Sequence, residues 1–204
     1  MLKGRRNASR AKAMARFYKS GKGEYAEGDV FIGTTVPDVR MVAKEYAGLP
    51  ISEVRKLFIS PIHEVRLLAL LILIKQFARG SEAEQQCIVK LYCGHRAYVN
   101  HWDLVDISAA NILGEWCVSH GWASLKTFVQ SHAMWERRIG VIATGAFLKR
   151  GKSSPTKTLV RMVMHDNHDL IHKACGWMLR EMGKRVGQEE LRAFLRVHAS
   201  DMPR

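Results

Sequence analysis

The chain is short of acids, of disulfide chemistry and of any long apolar run. Nineteen Asp and Glu stand against thirty-two Lys and Arg in 204 residues, a formal charge of +13. Such an excess creates a field attractive to polyanions, with nucleic acid the leading partner. Four cysteines, Cys87, Cys93, Cys117 and Cys175, show neither CxxC spacing nor the density of a disulfide scaffold, so they read as reduced, mostly buried thiols. A zinc site on Cys87, Cys93 and His95 lacks a fourth ligand at a recognisable spacing. The longest uncharged apolar run, residues 67–74, falls far below the roughly 20 residues that a membrane span requires. The basic start from Met1 to Arg6 is followed by no apolar core, which argues against a secretory signal. A cytoplasmic, nucleoid-associated protein without a membrane partner is expected. No serine sits in a nucleophile elbow, and the Gly-rich stretch from Gly21 to Gly33 matches no phosphate loop, so acyl-transfer and phosphate-loop chemistry have no support.

Strand-like alternation is also missing, whereas apolar residues recur at spacings of three and four throughout. With 47% apolar residues the chain buries a core and is predicted to be all-α. Helices are expected over 7–19, 36–47, 52–58, 61–78, 81–93, 101–118, 122–131, 133–148, 155–164, 168–184 and 188–199, with 21–33 the one long irregular connection. Start signals support these bounds. Ser60-Pro61 and Ser154-Pro155 place a hydroxyl before a proline, Ser81 and Glu84 form a capping-box pattern, and Asp166 precedes an apolar-periodic run.

The helices also resemble one another. Arg66 and Ala69, Asp106 and Ala109, Arg137 and Gly140, and Lys173 and Gly176 each pair a charged residue with a small one three positions later. Their recurrence at roughly 30–40 residues is the period of helix-pair repeats. The small residue would let backbones approach, and the charged one would recur on one face of the array, lining a concave groove.

Candidate chemistry centres on His101-Trp102-Asp103-Leu104-Val105-Asp106, an indole and two carboxylates in a basic chain. On a helix Trp102 and Asp106 share a face. Asn100 is expected to cap that helix, leaving Asp103 in its first turn as a partner of the free amides and macrodipole. Trp102, Trp135 and Trp177 each precede a charged residue by three or four positions: Asp106, Arg138 and Arg180. Taken singly, such tryptophans are core and Asp106 is an interhelical salt bridge. Three such pairs on related helices suggest aromatic faces and charged heads directed together at a sugar-phosphate ligand. His165, His168 and His172 need not share a face, so no metal and no cofactor are expected.

Phe31-Ile-Gly33 with Val36-Pro-Asp-Val-Arg40, then His63-Glu64-Val-Arg66-Leu-Leu-Ala-Leu70, Trp102-Asp-Leu-Val-Asp106, Trp135-Glu-Arg-Arg138-Ile and Lys173-Ala-Cys-Gly-Trp177-Met-Leu-Arg-Glu181 resemble the DNA alkylation repair family of AlkD-like glycosylases, in family order over nearly the whole chain. The resemblance implies a curved right-handed superhelix of antiparallel HEAT-like helix pairs, an α-solenoid, as a single domain over 1–204. It implies excision of cationic N3- and N7-alkylated purines from duplex DNA by a monomer, without a deep base-flipping pocket. Motif by motif, it places the catalytic aspartate on Asp106, the sugar-contacting tryptophans on Trp102 and Trp177, and the phosphate-contacting arginine on Arg138. Arg137, Lys173 and Arg180 are further DNA-binding candidates. Such relatives usually continue beyond Met202-Pro203-Arg204, so the last helix of the family is expected to be lacking. The competing readings are a non-catalytic repeat protein that binds damaged or branched DNA, and a protein-binding scaffold.

Overall fold

The computed structural model describes residues 2–203, and among them every regular element is helical, apart from one isolated bridge between Val30 and Ile62. The chain divides into two compact units, Met1–Ile107 and Ser108–Arg204.

In the first unit, α1 (Ala8–Phe17) is followed by the irregular connection, then α2 (Val36–Glu45), α3 (Ile51–Phe58), α4 (His63–Arg79) and α5 (Glu82–Gly94). The core helix is α4, on which α2, α3 and α5 pack. Its run from Leu67 to Leu73 is buried all round, because Leu, Ile and Ala occupy every face rather than one stripe. Gly33, at φ +76°, ends the irregular connection where a Cβ would stand 2.1 Å from the Asn7 carbonyl oxygen, so only glycine fits.

Then α6 (Trp102–Ser108) closes the first unit and reaches the first residue of the second. A π-helical segment, Ala110–Gly114, follows and leads into α7 (Glu115–His120). The helix expected over 101–118 is therefore present across 102–120 and carries a π-turn: the Gly114 amide reaches back to the Ala109 carbonyl at 2.8 Å, one residue further than in an α-helix. Gly114 also lets Ala143 approach, since a Cβ there would lie 2.2 Å from the Ala143 carbonyl oxygen. The second unit continues with α8 (Ala123–Val129), α9 (Met134–Ala143), α10 (Gly145–Leu148), α11 (Ser154–Val163), α12 (Asp169–Arg185) and α13 (Gln188–His198). Sequence neighbours pack as pairs, α8 on α9, α11 on α12 and α12 on α13. The helix expected over 133–148 breaks at Thr144, whose hydroxyl bonds back to the Val141 carbonyl at 2.7 Å.

Most start signals are as the sequence suggests. The Ser81 and Glu84 capping box is complete. Ser60 instead accepts the Ile62 amide, and α4 begins two residues past Pro61. Ser153, not Ser154, is the N-cap position of α11, and it makes no side-chain cap bond. Asp166 is not the cap of α12: His168 is, through Nδ1 and the Leu170 amide, while the Asp166 carboxylate takes the His168 amide and Arg137. Of the small residues in the repeat pattern, Ala69, Ala109 and Gly140 are buried, whereas Gly176 faces open space and brings no backbone close.

Candidate functional site

In the first unit the site is assembled on the first turn of α6. Trp102 and Asp106 lie one turn apart on this helix, both half-buried. The Trp102 indole is set against Tyr18 at 5.6 Å between ring centres, His101 at 5.4 Å and Phe17 at 6.3 Å. Phe17, 68% exposed, is a large apolar side chain left in solvent beside the indole. It stands there because α1 ends in a Schellman turn: the Ser20 amide reaches the Ala15 carbonyl and Lys19 takes a left-handed φ of 53°. That turn sends Tyr18 inward and leaves Phe17 outside.

Asp103 is a first-turn acid that takes a free amide, as expected, and it is also the hub beneath this surface. One carboxylate oxygen lies 2.8 Å from His101 Nδ1 and accepts the Leu104 amide at 2.8 Å; the other lies 2.9 Å from His63 Nε2. His63 is 1% exposed and its Nδ1 meets Asp29 at 2.9 Å. Asp29 also accepts from Arg66 at 2.7 Å and from the Asn100 side-chain amide at 3.2 Å. Asn100 further accepts from Arg66 at 3.1 Å, so its side chain belongs to this network rather than to a helix cap. Glu64, buried beside His63, accepts the amides of Ile32, Gly33 and Thr34 and so ties α4 to the irregular connection.

These contacts set the charges. Burial alone would push the His63 imidazole down, but hydrogen bonds and charge from Asp103 and Asp29 outweigh it and hold His63 up at about 9. Burial would raise Asp103, and the His101 and His63 hydrogen bonds overcome that and hold it well below the usual carboxylate range. Asp29 is lowered in the same way, with burial opposed by His63 and Arg66. Tyr18 is pushed up to about 12, first by burial and then by the charge of Asp103.

His63, His101 and Asp103 bring their ligand-type atoms within 4.8 Å of one another. Both nitrogens of His63, however, face carboxylate oxygens, and those of His101 face a carboxylate and the Tyr18 carbonyl at 3.2 Å. Each ring nitrogen meets an oxygen that only accepts, so the trio is knit into a hydrogen-bond network centred on His63 rather than turned to a common metal position.

The second unit carries the remaining candidates. Arg137 and Arg138 leave α9 in different directions. Arg137 is spent on Asp166 at 2.6 and 3.1 Å and on the carbonyls of Ser131 and His132. Arg138 is buried and donates to the Leu170 carbonyl at the start of α12. On α12, Lys173, Trp177 and Arg180 follow one another at helical spacing: Trp177 is half-buried, and Lys173 and Arg180 are exposed. Lys173 pairs with Asp169 at 2.7 Å. The sequence reading missed His63, Asp29, Tyr18 and Phe17. His63 and Phe31 stood in its motifs, but nothing local says that His63 meets a residue forty positions on.

Elsewhere in the first unit, a cavity of about 680 Å3 lies between the turn after α2, the end of α4 and α5. It is lined by Leu49, Ile51, Ala83 and Ile88 with Lys75 and Arg79, and contains none of the predicted site residues. Among the described residues no helix is long and apolar enough to cross a membrane.

Comparison with known proteins gives a consistent picture. A family model described as DNA alkylation repair enzyme matches residues 1–204. A solved structure, a predicted DNA alkylation repair enzyme from Enterococcus faecalis, superposes with a TM-score of 0.73 over 97% of this chain and 92% of that one, at 20% identity. The fold is thus shared, in the α-solenoid class. No curated protein matches.

Proposed function

The chain belongs to the DNA alkylation repair enzyme family, and from that premise we propose that it is a DNA glycosylase that frees cationic N3- and N7-alkylated purines from duplex DNA. Alkylation makes the purine a good leaving group, so no strong general acid is needed. The bond from sugar C1′ to the base nitrogen breaks, its electron pair neutralises the purine, and an oxocarbenium-like sugar forms. Asp106 stabilises that cation and orients the water whose oxygen bonds to C1′, the displaced proton passing to the carboxylate and then to solvent. Trp102 and Trp177 offer electron-rich faces to the cationic sugar. Arg138, with Arg180 and Lys173, holds backbone phosphate. Arg138, buried against the Leu170 carbonyl, and Arg137, spent on Asp166 and two carbonyls, have weaker claims than the exposed Arg180 and Lys173.

The observation that carries this reading is the pairing of Trp102 and Asp106 one turn apart on α6, above a first turn held by buried charges. A carboxylate and an indole fixed together suit a reaction that passes through a cation. The reading extends to a monomer acting in the cytoplasm on nucleoid DNA, without a deep base-flipping pocket.

The test is incubation of the full chain with methylated duplex DNA and mass-spectrometric detection of free 7-methylguanine, with abasic sites counted in parallel. Release of the base in step with abasic sites is expected. Tight binding to the methylated duplex with no free base would instead identify a non-catalytic binder of damaged DNA.

A further inference from the structure

We propose that His63 is a positioning residue for the Trp102 and Asp106 pair, acting through Asp103 as a charged clamp between α4 and α6. The inference rests on the glycosylase reading for its kinetic consequence, but its geometry stands apart from it. Helix α6 runs on through the π-helical segment into α7, with α-region backbone at Ala109, Gly114 and Glu115, so its free end is its N-terminal turn. Its first turn is fixed from outside: Asp103 is gripped through one oxygen by His63 and through the other by His101 and the Leu104 amide. Trp102 is the residue just before this anchor, and Asp106 lies one turn beyond it.

His63 is suited to the role because it bridges two acids from different segments. Asp29 holds its far nitrogen from the irregular connection, with Arg66 behind Asp29 on α4. From α6 and the residue before it, Asp103 and His101 face it, the His101 ring at 5.2 Å edge-on. Tyr18 lies 5.2 Å away and Phe31 4.8 Å away, the second stacked on the imidazole. Glu64, its neighbour on α4, is turned to the amides of residues 32–34. A neutral imidazole would offer one donor to two carboxylates, leaving one of them opposite a lone pair. The clamp therefore holds only while His63 carries both protons, a condition that lasts to about pH 9.

The consequence is that loss of the His63 charge loosens the pair without removing either member. A displacement of an ångström at a reacting group is enough to cost about tenfold or more in turnover. We expect His63→Gln to lower kcat for base release by that factor with KM for DNA unchanged. Asp103→Asn should act alike, and the double variant should lose no more than either single one, because both break one contact.

A second measurement needs no turnover. The full chain is labelled with 5-fluorotryptophan, the Trp102 resonance is assigned among the five by Trp102→Phe, and the wild-type spectrum is followed from neutral to alkaline pH. The Trp102 resonance should move with a midpoint near 9 and lose that movement in His63→Gln. A resonance that stays still through that range, or losses in the two single variants that add in the double, would overturn the inference. So would zinc that co-purifies in a one-to-one ratio and is lost in His63→Gln, which would make the trio a metal site. If the wild-type chain frees no base, the glycosylase reading falls, and the Trp102 titration alone decides this one.

Discussion

Around Trp102 in the first unit, charged side chains face one another: Asp103 between two imidazoles, Asp29 between His63 and Arg66. Around Trp177 in the second unit the cations are tied differently, Arg138 to a backbone carbonyl, Lys173 to an exposed acid, and Arg180 on the surface. The first arrangement is buried, so its partners depend on one another, and removing one leaves an uncompensated charge. The second is made of separate contacts, each loosely coupled to the rest. The difference teaches that the same pattern of tryptophan and charge on a helix can be fixed by a network in one unit and by local tethers in the other. On the proposed reading, the demanding geometry would fall to the acid and the adaptable contacts to the cations.

That contrast can be broken by substitution. The largest stability loss is expected from Asp103→Ala, about 3–5 kcal/mol by chemical denaturation, because it removes the one carboxylate that links both imidazoles and the Leu104 amide. Gly33→Ala should follow closely, at about 3 kcal/mol, since φ is +76° and the added Cβ would meet the Asn7 carbonyl. In the second unit Asp166→Ala should cost less, about 1–3 kcal/mol, because Arg137 keeps two backbone carbonyls. Smallest is Gly176→Ala, which has open space on an exposed face of α12 and should gain up to about 1 kcal/mol from helix propensity. If Asp103→Ala costs no more than Asp166→Ala, the first unit is no more tightly coupled than the second.

The pH dependence sharpens the same contrast. His63 is raised in the folded chain, so its contribution to stability is fully present below its unfolded value near 6.5 and is lost as pH rises through about 9. Asp103 and Asp29 are lowered, so theirs is present above the ordinary carboxylate range and is lost as pH falls through their depressed folded values. The melting temperature of the wild type should therefore fall from pH 7 towards alkaline pH, and His63→Gln should flatten that fall. An equally steep alkaline fall in His63→Gln would place its origin elsewhere.

Much of the fold was legible because its causes are local. Apolar spacing marked the helices, and the Ser81 and Glu84 box set the start of α5 by contacts within one turn. What misled was in each case a residue with a distant partner. Asn100 and Asp166 look like caps, but Arg66 and Arg137 claim them. The π-turn after α6 ends at Gly114 against the Ala143 carbonyl, a packing that no spacing along 101–118 reveals. Trp102 and Asp106 were legible as a pair because they lie one turn apart. Asp103 was legible as a first-turn acid but not as a hub, because its further partners, His63 on α4 and through it Asp29, come from far along the chain.

The most direct test of the account compares wild type and Asp106→Asn in single-turnover release of 7-methylguanine, with duplex affinity measured on the same preparations. The account predicts a loss on the order of a hundredfold or more in release, with affinity for duplex DNA retained, because the carboxylate stabilises charge that exists only in the transition state. Equal release by the two proteins would contradict it.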